Sequence, residues 1–293
     1  MRLPSRTRTQ LCSVESLRLG DGRQLCVRRW RRKGMGTLVV LHGLLDSSEG
    51  WSALSARLSC EVVAFDLPGF GCSDPPARAS IAAYAQDVAD GLELLGLERF
   101  TLVGHSLGGA VATTLAELVP EKVAGLVLLA PVGFGRMRLA ELASLPVVRT
   151  LLQTVLPWAL RSRVAVRAAF SAMVTNGRLP DPEVVDRVTR NGRSLVDGTR
   201  TAVRAIADAG RCAQAAGGRR VAYRGPVAAV WGDRDRLVPP EHRHGLLAAL
   251  PQARIQLWED MGHHPAVERL DELVVLLASA APARSARATS SAA

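Results

Sequence analysis

Short, unbroken apolar runs recur along the chain and alternate with stretches of helical periodicity. Continuous runs, rather than alternating ones, are typical of strands that are buried on both faces of a parallel sheet. Strands that alternate with helices predict a doubly wound α/β fold with a mostly parallel sheet. The runs are TLVVL (37–41), EVVAF (61–65), FTLVG (100–104), VAGLVLL (123–129), VAAVW (227–231) and IQLW (255–258).

Local signals predict further elements around these strands. The stretches 14–19 and 24–30 flank the turn GDGR and predict an antiparallel hairpin at the sheet edge. Ser80 is a suitable cap for a helix that runs to about Leu95, and a second helix with one apolar face is expected to end before Pro120.

The alternation of strands and helices is interrupted once, between the fourth and fifth apolar runs. From 133 to 224 there are helical patterns but no convincing buried strand, so we predict a helical cap inserted into the α/β core. The core then consists of 15–132 and 225–278. The basic segment 1–14 and the small, polar segment 279–293 are expected to be disordered tails.

A formal net charge of +10 could indicate a nucleic-acid partner, so the distribution of the charge matters. Residues 1–33 hold nine arginines and one lysine against Glu15 and Asp21, and the rest of the chain is nearly neutral. Such a segment could touch RNA or an anionic membrane surface. It has one aromatic residue, Trp30, and no recognition motif, so we expect a solvated segment and no nucleic-acid partner.

Hydropathy and cysteine usage indicate the cellular compartment of the protein. The longest strongly apolar run, 123–131, is far shorter than the roughly 20 residues that span a bilayer, so no integral membrane association is expected. The five cysteines have no paired spacing and indicate neither a disulfide framework nor a zinc site. A soluble protein of the reducing cytoplasm fits these features best, and its oligomeric state stays open.

The stretch GHSLGG (104–109) carries the candidate chemistry. Ser106 lies in a G-x-S-x-G turn between a predicted strand and a predicted helix, which exposes the hydroxyl at the C-terminal edge of the sheet. A serine hydroxyl needs a general base that is itself oriented by a carboxylate. The last two apolar runs lead to candidates at the same edge, Asp235 and His263, with Asp233 and His264 as their neighbours.

Five motifs in this order and spacing resemble the α/β-hydrolase family, in the form that has a helical cap. The resemblance covers about 15–278. It implies that Ser106 is the nucleophile, that Asp235 rather than Asp233 is the acid, and that His263 rather than His264 is the base. The motifs are HGLLDSSEGW (42–51), DLPGFGCSD (66–74), GHSLGG (104–109), WGDRDRLVPP (231–240) and GHHPAVE (262–268).

The same resemblance implies an oxyanion hole built from two backbone N–H groups. One belongs to Leu44, after the glycine of HGLL, and the other to Leu107, directly after the nucleophile. Two fixed donors aimed at a developing oxyanion lower the barrier by several kcal/mol. No cofactor and no metal are implied.

Several polar residues in these motifs are interpreted as structural. His42 is expected to order its loop through hydrogen bonds, and Asp66 to stabilise the loop after the fourth strand. Cys72 has no histidine at a suitable spacing to make it a nucleophile. His242 and His244 lie in a predicted helix after the acid loop and are expected to be solvated.

Apolar residues at helical spacing occur throughout the predicted cap. Most are expected to pack the cap onto the core, and some to face a small, apolar acyl substrate, because a lid over a serine nucleophile usually forms the substrate pocket. They are Phe134, Met137, Leu139, Leu142, Leu145, Val148, Leu152, Leu156 and Trp158.

Two motifs and the residues around Ser106 bear on which subgroups of the family the chain resembles. APVGFG and GTRTAVRAIADA resemble hydrolase domains related to the acyltransferase component of acetoin dehydrogenase and to C–C bond hydrolases. No lipoyl-bearing segment is present, and His105 and Leu107 stand where the C–C hydrolases usually have asparagine and methionine. Epoxide hydrolases and haloalkane dehalogenases use an aspartate where this chain has Ser106.

The sequence therefore predicts a serine hydrolase that cleaves a carboxylic ester or thioester through an acyl-enzyme, with Ser106, His263 and Asp235 as its triad. A C–C bond hydrolase, or a biosynthetic acyltransferase or thioesterase, is the alternative on the same triad. A non-catalytic binding protein on the same fold is the alternative of another class.

Overall fold

The computed structural model describes most of the chain. Its described residues are 12–32, 36–137, 141–142, 145–175, 177–194, 203–204, 207–208 and 220–281. The predictions for 1–11 and 282–293, and most of the GTRTAVRAIADA motif, lie outside the described residues.

An eight-stranded sheet forms the centre of the molecule. Its order is β1-β2-β4-β3-β5-β6-β7-β8; β1 pairs antiparallel with β2, β2 pairs antiparallel with β4, and all later pairs are parallel. The strands are β1 (Cys12–Arg18), β2 (Gln24–Trp30), β3 (Thr37–Leu41), β4 (Glu61–Phe65), β5 (Phe100–His105), β6 (Val123–Leu129), β7 (Val227–Gly232) and β8 (Arg254–Trp258). The doubly wound, mostly parallel sheet predicted from the apolar runs is confirmed.

Two details of the predicted sheet were wrong. Strand β1 begins at Cys12, inside the segment that was predicted to be a disordered tail. Strand β8 is not buried on both faces, because it is the edge strand next to β7 alone, and Leu257 in it is 46% exposed.

Helices cover both faces of the sheet. The described helices are α1 (Ser52–Arg57), α2 (Ile81–Leu94), α3 (Leu107–Leu118), α4 (Pro146–Ala159), α5 (Arg163–Met173), α6 (Pro182–Ser194), α7 (His242–Ala249), α8 (Pro265–Glu268) and α9 (Leu270–Ala280). The predicted cap of α2 is present, since the Ser80 side chain accepts a hydrogen bond from the Ala83 N–H. One core cluster includes residues of α2, α3 and α7, and a second, on the other face, includes residues of α1 and α9.

Helices α4, α5 and α6 occupy the insertion between β6 and β7. They have a small core of their own, formed by Leu160, Val166, Val185 and Val188, against which Leu45 of the α/β core packs. The insertion therefore covers the loop that follows β3, at the C-terminal edge of the parallel strands. Within the described residues, no helix is long and apolar enough to cross a membrane.

Candidate active site

Ser106 occupies a sharp turn between β5 and α3. Its backbone has φ 53° and ψ −116°, a region that costs a residue with a side chain about 1–3 kcal/mol. Small neighbours make the turn possible: a Cβ at Gly104 would collide with the Gly108 carbonyl, and one at Gly108 with the Leu41 carbonyl. The Ser106 N–H donates to the Leu129 carbonyl at 2.9 Å, which ties the turn to β6.

Asp235 and His263 are joined by a hydrogen bond. Nδ1 of His263 lies 2.7 Å from Oδ2 of Asp235, and both residues are buried. The other carboxylate oxygen accepts from the N–H groups of Leu237 and Val238, each at 2.9 Å. Because an ionised carboxylate can only accept, Nδ1 of the imidazole carries the proton and Nε2 is free to accept one.

Nε2 of His263 is buried and has no hydrogen-bond partner among the described residues. His263 and Ser106 line the same cavity. A buried imidazole nitrogen without a partner is unusual, since buried polar atoms are nearly always hydrogen-bonded. The structure thus brings the predicted serine, histidine and aspartate together at one edge of the sheet.

Asp233 and His264, the alternative candidates for the acid and the base, make different contacts. Asp233 is exposed, and its Oδ1 accepts from the Met261 N–H at 3.3 Å rather than from an imidazole. His264 is buried and points to another carboxylate, with Nε2 3.6 Å from Oδ2 of Asp46. Of the two candidate aspartates, Asp235 is therefore the one whose carboxylate contacts the His263 imidazole.

The cavity beside Ser106 is apolar and has a volume of about 320 Å³. Its size is at the lower end of small-molecule sites. Gly43, Leu44 and His105 form part of the wall on the side of the sheet. The opposite wall consists of apolar side chains from the inserted helices, namely Leu152, Leu156, Leu160, Val166, Phe170 and Val188.

Backbone N–H groups also reach this site. Gly43 comes so close that an added Cβ would lie 3.2 Å from Cβ of Ser106 and 2.9 Å from Nδ1 of His105. The N–H groups of Leu44 and Leu107, the two predicted oxyanion donors, donate to no described residue. Leu107 is the first residue of α3, where N–H groups have no partner within the helix.

A charged side chain in the cavity wall was not predicted from the sequence. Asp46 is buried, and its Oδ1 lies 3.0 Å from Nε of Arg187, which is on α6. Burial acts to raise the pKa of Asp46, but the charge of Arg187 and the hydrogen bond from His264 outweigh it and hold that pKa well below the usual value. The partners are 141 residues apart, so no local pattern could have found the pair.

A third histidine, His105, packs between the other two. Its ring centroid lies 4.9 Å from that of His263 and 4.4 Å from that of His264. Nε2 of His105 lies 2.9 Å from the His263 carbonyl, to which it donates. Burial, together with the two neighbouring histidines, lowers the pKa of His105 well below 6.5, so this side chain is neutral at neutral pH.

His42 and Asp66 have the hydrogen bonds of loop-ordering residues. Nε2 of His42 accepts from the Leu67 N–H at 3.0 Å, and the Asp66 carboxylate accepts from the N–H groups of Ser48 at 2.6 Å and Cys72 at 3.0 Å. The polar atoms of Cys26, Asp66 and Cys72 lie within 4.8 Å of one another, the one such group that could hold a metal among the described residues. Both carboxylate oxygens of Asp66 already accept a hydrogen bond from a backbone N–H group.

The prediction for His242 was wrong. It is buried, and Nε2 lies 3.2 Å from the Arg136 carbonyl, because the segment after β6 covers the first turn of α7. Burial lowers the pKa of His242 from its usual value. His244 is exposed, as predicted.

Comparison with known proteins identifies the family. The family model for the α/β-hydrolase fold matches residues 36–270. The chain belongs to the α/β-hydrolase family. This α/β hydrolase is 33% identical to an uncharacterized protein of Mycobacterium tuberculosis over 261 residues, which cover 81% of this chain and 73% of the relative.

Further relatives include enzymes with named activities. A dihydrolipoyllysine-residue acetyltransferase component of the acetoin cleaving system of Cupriavidus necator is 30% identical over 85% of this chain and 65% of the relative. The crystal structure of a bacterial membrane phospholipase A has a TM-score of 0.72 and 25% identity, over 92% of this chain and 85% of that chain. Lipases and esterases are also among the relatives and structural neighbours. Membership of this family supports a hydrolase.

Proposed function

We propose that this α/β hydrolase cleaves carboxylic esters or thioesters of apolar acyl groups, with Ser106, His263 and Asp235 as a catalytic triad. The observation that carries the proposal is the position of His263. This residue lines the same cavity as Ser106, its Nδ1 is bound to Asp235, and its buried Nε2 has no partner among the described residues. An imidazole nitrogen that has no other partner, on a residue that lines the same apolar cavity as the hydroxyl, suits proton transfer.

In the acylation step, Ser106 Oγ attacks the acyl carbon of the substrate while His263 Nε2 takes the hydroxyl proton. Asp235 stabilises the resulting imidazolium and keeps its orientation. The oxyanion accepts hydrogen bonds from the N–H groups of Leu44 and Leu107, whose lack of other partners supports this role. Collapse of the tetrahedral intermediate breaks the bond to the leaving group, which receives its proton from His263.

Deacylation repeats these steps with water in place of the serine. His263 takes a proton from water, the hydroxide attacks the acyl carbon, and the carboxylic acid leaves as Ser106 recovers its proton. The apolar wall of Leu152, Leu156 and Phe170 favours an acyl chain over a charged or sugar-like group. In keeping with the sequence, we place this small-molecule chemistry in the cytoplasm.

Covalent labelling tests the nucleophile. A fluorophosphonate probe should add one label per chain, and peptide mapping by mass spectrometry should find the label on Ser106. Ser106→Ala should abolish labelling, whereas Ser48→Ala, which changes another buried serine near the site, should retain it. A label on a different residue, or active protein that stays unlabelled, would remove Ser106 from the role.

A further inference from the structure

Helix α4 is apolar on two opposite sides. Leu152, Leu156 and the following Leu160 line the cavity beside Ser106. A second stripe faces outward, with Val147 81%, Leu151 61%, Val155 52% and Trp158 71% exposed. Spacings of three and four residues keep such positions on one side of a helix. Four apolar side chains that are each more than half exposed on one side of a helix indicate a surface that another molecule can cover.

The outward stripe belongs to a larger apolar surface. Leu142 and Leu145 lie just before α4 and are each 51% exposed, although the sequence predicted that cap residues such as these and Trp158 would mostly pack inward. Val164 on α5 is 79% exposed. Of the fourteen exposed large apolar side chains among the described residues, eight lie between 142 and 179. Single exposed apolar residues are normal, but a cluster marks an interaction surface.

All Asp, Glu, Lys and Arg positions of the segment 142–180 are arginines. Between 142 and 180 the sequence contains five arginines and no aspartate, glutamate or lysine. Arg163 and Arg178 are paired with Asp186 and Asp260, which leaves Arg149, Arg161 and Arg167 to meet an anionic surface. The guanidinium carbon of Arg161 lies 5.2 Å from the centre of the exposed Trp158 ring. A tryptophan beside an arginine is suited to the interface of a bilayer, where the ring lies at the level of the headgroups and the cation meets phosphate.

We propose that the outward face of α4, from Val147 to Trp158 and with Val164 of α5, docks onto an anionic lipid surface. Apolar side chains with arginines around them are what in-plane binding to such a surface requires. A second copy of the chain fits less well, because a symmetric dimer would bring the same arginines together. The cavity lies on the other side of α4, so docking brings it close to the layer in which apolar esters dissolve.

Vesicle binding tests the proposal without any need for catalysis. The chain is mixed with vesicles of phosphatidylglycerol and phosphatidylcholine, or of phosphatidylcholine alone, and the bound fraction is measured by sedimentation. The double variant Leu151→Glu, Val155→Glu should lower binding to the anionic vesicles by more than about tenfold. The matched control is Leu94→Glu, Val275→Glu, which adds the same two charges at exposed apolar positions of α2 and α9 and should bind as the parent does.

The control pair separates α4 from the basic segment 1–33. If that segment alone attracts the vesicles, the two double variants bind equally well, either as the parent does or both more weakly, and the proposal is overturned. Dimers of the parent chain that the α4 variant abolishes, in the absence of any vesicle binding, would overturn it in favour of a second copy. Both variants should melt near the parent temperature, and because the measured quantity is vesicle binding, the result does not depend on the proposed activity.

Tryptophan fluorescence provides a second measurement with minimal change to the fold. Emission should shift to shorter wavelength when anionic vesicles are added, and Trp158→Phe should remove most of that shift. A shift that persists in Trp158→Phe would place the contact elsewhere on the molecule.

Discussion

Arg187, on helix α6, forms an ion pair with Asp46, in the loop that follows β3, across the edge of the cavity. Both side chains are about nine-tenths buried, so the pair is shielded from solvent and joins the inserted helices to the loop that carries Leu44. Three residues further along α6, Arg190 pairs with Glu49, but this second pair is largely exposed. Because one pair is buried and the other is exposed, substitutions of Arg187 and Arg190 on the same helix can be compared directly.

Arg187→Gln should lower the free energy of unfolding by about 3 kcal/mol, because it leaves the Asp46 carboxylate buried without its counter-charge. Arg190→Gln, the control, should cost less than about 1 kcal/mol. Urea denaturation at neutral pH measures both. Equal effects of the two substitutions would contradict the buried character of the first pair.

Asp235→Asn should lower kcat by about a thousandfold or more, because the amide no longer holds His263 in the tautomer whose Nε2 accepts a proton. Asp233→Asn is the control and should stay within about threefold, since its carboxylate accepts from the Met261 N–H and from no imidazole of the described residues. Steady-state kinetics is meaningful once both variants melt near the parent temperature. Comparable damage from Asp233→Asn would transfer the acid role to that residue.

Acyl-chain length should control the rate with short p-nitrophenyl esters. Each added methylene that enters the cavity contributes about 0.8 kcal/mol, so kcat/KM should rise by about fourfold per carbon until the cavity is full, and then level off or fall. Leu156→Trp, which fills part of the wall, should move the optimum to shorter chains. An optimum that Leu156→Trp does not move would mean that the acyl group does not lie against α4.

Stability should decrease as the pH falls below about 6.5. The pKa of His105 is depressed in the folded state, by burial and by His264 and His263, although Asp46 opposes them. The unfolded chain therefore binds the proton first, and the stability lost approaches 1.4 kcal/mol per pH unit below the ordinary histidine pKa. Urea titrations between pH 7.5 and 5.5 measure this slope. His105→Asn should reduce it, and an unchanged slope would assign the dependence to other groups, such as His242.

The sheet could be predicted almost to the residue because a buried parallel strand has an unbroken apolar run and a defined end. The placement of Asp235 and His263 at one edge could also be predicted, since each of them follows a strand of that sheet. It could not find the burial of His242, which depends on a segment more than a hundred residues away that packs over α7. The charge on Asp46 and the outward side of α4 were missed for the same reason: periodicity shows that a residue is apolar or charged, but not what covers it.

Strands β6 and β7 are neighbours in the sheet, from Leu126 beside Val227 to Leu129 beside Val230, although most of the inserted helices are encoded between them. The hydrogen bonds between β6 and β7 fix the distance between the turn of Ser106 and the loop of Asp235. This distance does not depend on how many residues connect the two strands. Insertions, deletions or exchanges between 133 and 224 can therefore accumulate without moving Ser106 relative to Asp235. Evolution can thus change the residues that cover the cavity while the turn of Ser106 and the loop of Asp235 stay where they are.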